Sequence, residues 1–169
     1  MTFFRSALFC YLLAVAAPVV AQVNLPAPLG SSIAGSTLKS PDAFLPHRLG
    51  EQFTPHHWLN AYFEQLAASA TTTMRLEKYG LTNEARPLQI ALFSSPENMT
   101  RLEQIRLNNL RMAGTIPGEP DMTRPVAIVW ISMSVHGNEP SGSEASMALA
   151  YQLASQSDPQ VRAWLQNTV

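Results

Sequence analysis

The sequence of 169 residues predicts an α/β fold: a mixed central sheet with helices on both faces, present in incomplete form. Three observations carry the prediction. Stretches with strand-like patterning and stretches with helical spacing follow in the order strand, strand, helix, strand, helix. Val126 to Met133 is nearly continuous apolar sequence, which suits a central strand covered on both faces. Thr54-Pro55, Ser95-Pro96 and Asp158-Pro159 place a capping side chain and a proline where helices should start.

Composition bounds the possibilities. Hydrophobic residues make up 46% of the chain and charged residues 14%, which is globular and not disordered. The length allows one domain at most. A net charge of -1 gives no basic surface for nucleic acid or an anionic membrane. The oligomeric state is open at this level.

The N-terminus has the three-part pattern of an export signal. Arg5 supplies a positive charge, Ser6 to Val20 runs without charge, and Val19-Val20-Ala21 offers small residues for cleavage after Ala21. A membrane span needs ~20 apolar residues. This run is shorter and Pro18 ends it early, so no stable membrane anchor is expected. The expected destination is the periplasm or the outside of the cell. Cys10, the single cysteine, falls within residues 1–21. The mature chain would therefore carry neither a disulfide nor a cysteine-ligated zinc.

Residues 22–40 read as a linker, with Pro26, Pro28, Gly30, Gly35 and several serines but no apolar period. Residues 41–169 read as the folded part. Ser40-Pro41-Asp42 is a turn before Phe44 and Leu45. Thr54 is expected to cap a helix with Pro55 in its first position, and Trp58, Tyr62 and Leu66 form its buried face. Thr73 to Tyr79 and Leu88 to Phe93 read as two strands of a hairpin around a turn at Gly80 to Arg86. Ser95-Pro96 opens a helix with Leu102, Ile105 and Leu110 on its apolar side and Arg101, Glu103 and Arg106 on its wet side. Ala113 to Arg124, with Gly114, Pro117, Gly118 and Pro120, is a loop. After the apolar strand, Ser143 to Ala154 is a helix packed against it through Met147, Ala150, Tyr151 and Ala154. Asp158-Pro159 caps a last short helix with Val161, Trp164 and Leu165 as its buried side.

His136 and Glu139 stand at the end of the apolar strand, where open α/β sheets place their sites. A neutral imidazole and a carboxylate are both good zinc ligands. Pro140 biases Glu139 toward extended geometry, and Gly137 permits a tight path between the pair. The spacing alone is unspecific. Taken alone it is met more readily by a histidine closing a strand and a glutamate placed near a helix start for dipole reasons. After Glu139 the chain has no histidine, and its only acids are Glu144 and Asp158. Catalytic zinc usually takes three protein ligands, so the chain reads as the front part of a zinc enzyme carrying half a site.

The segment from Val135 through His136, Gly137, Asn138, Glu139, Pro140, Ser141, Gly142, Ser143 and Glu144 to Ala145, after an apolar strand, resembles the first zinc-binding segment of the zinc carboxypeptidases of the carboxypeptidase A superfamily. Ser40 to Leu45, Gly50 to His57, Tyr79-Gly80 and Arg86 to Leu88 look like the approach to the metal in exported bacterial members. The resemblance covers most of residues 40–169. It implies the N-terminal portion of a zinc carboxypeptidase-like fold, with His136 and Glu139 as zinc ligands. It places the third ligand (a histidine), the glutamate base and substrate-binding arginines beyond residue 169. Asn138 stands where the best-known pancreatic members carry an arginine.

Other candidates have simpler explanations. His56 and His57 are adjacent on a helix and point in different directions, which suits a wet first turn better than one metal. His47 follows Pro46 in a loop. Ser141 and Glu144 form a capping box, which accounts for Glu144 without a catalytic role. Asn98-Met99-Thr100 is a glycosylation sequon in form. No G-x-S-x-G, phosphate-cradling glycine loop, H-E-x-x-H or C-x-x-C occurs.

The expected function of a full-length form is zinc-dependent hydrolysis of a peptide at or near its C-terminus, with the 169-residue chain inactive alone. The alternatives are a zinc-dependent deacylase of N-acyl amino acids from the same superfamily, and a non-catalytic remnant or binding module.

Overall fold

A computed structural model describes residues 30–169. The predicted export signal, and the predicted linker up to residue 29, lie outside the described residues. The element order is α1 (Pro41–Phe44), α2 (His56–Ser69), β1 (Met74–Leu81), β2 (Pro87–Phe93), α3 (Pro96–Met99), α4 (Leu102–Met112), α5 (Ser141–Ser155) and α6 (Pro159–Asn167). The class is α/β, in an open arrangement. Among the described residues no helix is long and apolar enough to cross a membrane.

The core forms where α2, α5 and the hairpin meet. Tyr62 and Leu66 of α2 are fully buried against Met147, Ala150, Tyr151 and Ala154 of α5, with Met74 from β1 and Leu45 after α1. The four-residue spacing on α2 and the 3.6-residue period on α5 put these side chains on facing stripes. Both core tyrosines find polar partners, as buried hydroxyls must. Tyr62 Oη donates to the Lys39 carbonyl at 3.2 Å, and Tyr151 Oη accepts from the Ile33 N–H at 3.1 Å. Residues 30–40 contain no helix or strand, yet Ile33 and Leu38 pack on this core.

The two strands pair antiparallel, from Met74 opposite Phe93 to Leu81 opposite Pro87. Tyr79 is the extra residue at a register shift between Lys78 and Gly80, a bulge that extends β1 two residues beyond the expected end. The hairpin is bolted to α5 through Thr73, whose hydroxyl donates to the Ala154 carbonyl at 2.9 Å.

Three details differ from the sequence expectation. Ser40-Pro41-Asp42 forms one turn of helix, with Ser40 Oγ accepting from the Ala43 N–H. The helix opened by Ser95 stops after one turn at Met99 and restarts at Leu102. The break follows from Asn98, which is buried and turns inward to give its amide to the Leu165 and Gln166 carbonyls, both at 3.1 Å. Trp164 is 54% exposed; only Val161 and Leu165 of α6 are buried. Leu165 lies against Ser94, Ser95 and Asn98, which bond its carbonyl, and Trp164 is turned about 100° round the helix from it.

The largest correction concerns Val126 to Met133. Val126 is buried, but Ile128, Val129, Trp130, Ile131 and Met133 are exposed. The segment is not a covered central strand among the described residues. Among the described residues it pairs in a short parallel ladder with the C-terminal residues. Ala127 N–H donates to the Asn167 carbonyl, Val169 N–H to the Ala127 carbonyl and Val129 N–H to the Val169 carbonyl, each at 2.9 Å. An apolar run declares a need for cover. Cover itself comes from other parts of a fold, and α5 packs on α2 and the hairpin instead.

Candidate functional site

Ser134 ends the exposed apolar segment in a left-handed conformation, with φ of 50°. That conformation is costly for a residue with a Cβ and needs outside support. Support comes from the first turn of α5. Ser134 Oγ lies 2.9 Å from Ser143 Oγ and donates to the Glu139 carbonyl at 3.2 Å. Gly142 allows the approach, since a Cβ there would meet Ser134 N at 2.9 Å and Oγ at 3.0 Å.

The sharp turn at Ser134 throws the next residues into a tight loop. Glu139 N–H donates to the His136 carbonyl at 3.1 Å, which closes a turn across His136, Gly137, Asn138 and Glu139. Pro140 follows as the N-cap residue of α5. His136 and Glu139 are both exposed. Two donor side chains of suitable chemistry thus stand on one preset, accessible turn. Among the described residues no group of three His, Cys, Asp or Glu converges on a point that could hold a metal. The pair fits zinc as part of a ligand set and not as a whole one. A Cβ at Gly137 would meet nothing within 4 Å, so packing does not demand this glycine.

Glu144 does not cap α5. The helix has no side-chain cap bond, and the expected reciprocal pairing with Ser141 is absent. Instead Glu144 Oε1 accepts the Thr54 backbone N–H at 2.7 Å, the short length of a charge-assisted bond. Thr54 in turn does not cap α2, which starts from Pro55. Thr54 is buried, and its hydroxyl lies 3.1 Å from His47 Nε2. Glu144 Oε2 and His47 Nδ1 are buried without a protein partner. The reason for both missed caps is tertiary: residues 47–54 fold onto the start of α5 and compete successfully for these polar groups.

The remaining histidines stay apart from the loop's chemistry. His56 is exposed and pairs with Asn60, while His57 is exposed with its ring against Trp58. The sequon asparagine, Asn98, is buried with its amide committed to α6, which leaves no accessible acceptor for a glycan.

The sequence pattern singles out His136 and Glu139 as candidates and gives no role to Ser134, Gly142 and Ser143, which shape their loop. A glycine inside the first helical turn, flanked by serines, was the available signal.

The family model for zinc carboxypeptidase matches residues 59–169. That span runs from α2 through the loop to the last residue. Comparison with curated proteins and with solved structures gives no match.

Proposed function

The chain belongs to the zinc carboxypeptidase family, and from that premise we propose that it serves hydrolysis of peptides at or near their C-terminus, with His136 and Glu139 as two of the zinc ligands. The family is zinc-dependent and acts as a hydrolase of peptides. One observation carries the assignment of the ligands. His136 and Glu139 share an exposed turn closed by the Glu139 N–H to His136 C=O bond.

Bound zinc in such sites polarises a carbonyl and makes water nucleophilic at neutral pH. The chain's own residues prepare for that role. The turn bond and the Ser134 hydroxyl hold the backbone on both sides of the Glu139 Cα, through its N–H and its carbonyl. Gly137 and Asn138 leave no bulky apolar group between the two donors. Two donors make up only part of a catalytic set, so the complete site draws on residues beyond those described. The 169-residue chain alone should bind zinc weakly and release no C-terminal residues. The N-terminal pattern supports export with cleavage after Ala21, so the exported product should begin at Gln22 by mass spectrometry.

Zinc titration, followed through the ring resonances of the four histidines, tests the ligand assignment. His136 should respond first, and Glu139→Gln should weaken its response about tenfold or more. A response at His47, His56 or His57 with His136 unmoved would sink the assignment.

A further inference from the structure

Glu144 performs a task that its place in the helix does not explain. A carboxylate in the first turn of a helix would ordinarily sit in water or answer the helix's own N–H groups. Here one oxygen crosses to the Thr54 N–H at 2.7 Å, and the other is buried without a protein partner. Burying a carboxylate oxygen is unfavourable. The short charge-assisted bond to Thr54, which joins two segments 90 residues apart, offsets that cost.

The position of this bond matters. Glu144 N–H donates to the Pro140 carbonyl at 3.1 Å, and Pro140 directly follows Glu139. Ser143, beside Glu144, bonds Ser134, whose hydroxyl also holds the Glu139 carbonyl. The first turn of α5 is therefore tied through Ser143 to Ser134, whose hydroxyl holds the Glu139 carbonyl, and through Glu144 to Thr54. Thr54 is itself fixed, being buried with its hydroxyl on His47. The loop's geometry is inherited from a helix end that would otherwise be free to fray.

We propose that Glu144 is a positioning residue: by accepting the Thr54 N–H it fixes the first turn of α5 and so presets the His136 and Glu139 pair for metal. The proposal rests on the reading of those two residues as zinc ligands. It assigns Glu144 no contact with metal or substrate. Its effect is geometric and not a matter of negative charge near a cation.

Two near-isosteric variants separate geometry from charge. Glu144→Gln keeps an acceptor oxygen at the same reach and loses the charge. Glu144→Asp keeps the charge and loses the reach. Zinc titrations read at the His136 ring should give a half-saturation raised about tenfold in Glu144→Asp and less than about threefold in Glu144→Gln. The reverse order, or no change in either variant, overturns the proposal. His136→Ala is run alongside. If zinc affinity survives that change, the ligand assignment has failed. If it falls there while Glu144→Asp matches the wild type, only the positioning role has failed. Should a variant lose its cooperative thermal transition, amide exchange in the wild-type chain decides. Equal protection of the Thr54 and Glu139 amides supports the coupling, and a protected Thr54 beside a freely exchanging Glu139 overturns it.

Discussion

Ser134 and Gly142 approach so closely that a methyl group on Gly142 would sit 2.9 Å from the Ser134 backbone nitrogen. Two effects oppose one another at this glycine. Helix propensity alone favours alanine over glycine in a helix by about 1 kcal/mol. The contact with backbone works the other way, because overpacking costs about 1–3 kcal/mol when the neighbour cannot yield. Ser134 is held by its left-handed φ and two hydroxyl contacts, so it yields poorly. Gly142→Ala should therefore destabilise the chain in urea melts and shift the amide resonances of His136 to Glu139. A more stable variant with an unmoved loop would show that the clip is loose.

Asn98 links α3 to the end of α6. Its removal as Asn98→Ala takes one of three donors from the Leu165 carbonyl, which keeps the Ser94 hydroxyl and the Ser95 N–H, and removes the amide donor from the Gln166 carbonyl. Each hydrogen bond lost costs about 1 kcal/mol. The loss should appear as a lower urea midpoint with an unchanged slope. Expression in a glycosylating host should leave Asn98 unmodified by mass, although Asn98-Met99-Thr100 has the form of a sequon.

Tyr62 should make stability fall at alkaline pH. Burial, and then the neighbouring Tyr151, hold the Tyr62 phenol far above its ordinary value of 10.0. In the unfolded chain the phenol ionises near that ordinary value, whereas the native phenol stays protonated. The unfolded state thus gains from rising pH and the native state does not. The contribution is fully present below about pH 10 and is lost progressively above it. Tyr62→Phe should flatten this fall in urea melts between pH 8 and 11, while losing about 1 kcal/mol at pH 8 with the bond to the Lys39 carbonyl. An equally steep fall in the variant would assign the alkaline loss to other groups.

The exposed apolar segment should tolerate polar substitution. Ile131 is 55% exposed, so Ile131→Thr should change stability by no more than about 0.5 kcal/mol. Met147, fully buried in the core, sets the contrast: Met147→Ala should cost about 2–5 kcal/mol. Parallel urea melts test the pair. A cost above 2 kcal/mol at Ile131 would mean that the segment is covered in solution, as by a second copy pairing along its open edge.

The amino-acid sequence determined what depends on near neighbours. The four-residue spacing of Trp58, Tyr62 and Leu66, the period of Met147, Ala150, Tyr151 and Ala154, and the alternation around Gly80 to Arg86 each specify an element and its buried face, because backbone geometry converts spacing directly into direction. Ser95-Pro96 and Asp158-Pro159 announce helix starts for the same local reason. The H-G-N-E segment at residues 136–139, with its flanks, carries the family likeness, which the match over residues 59–169 shows to be membership. Tertiary structure alone decided where flexible polar groups spend their bonds. Glu144 and Asn98 bond partners more than 60 residues away, and the Thr54 hydroxyl turns to His47 in place of its own helix start, since a hydrogen bond in a dry setting outweighs one made against water. It also decided cover. Val126 to Met133 and Trp164 state a preference for burial, but burial is a property of what lies opposite, and no pattern along one segment contains that.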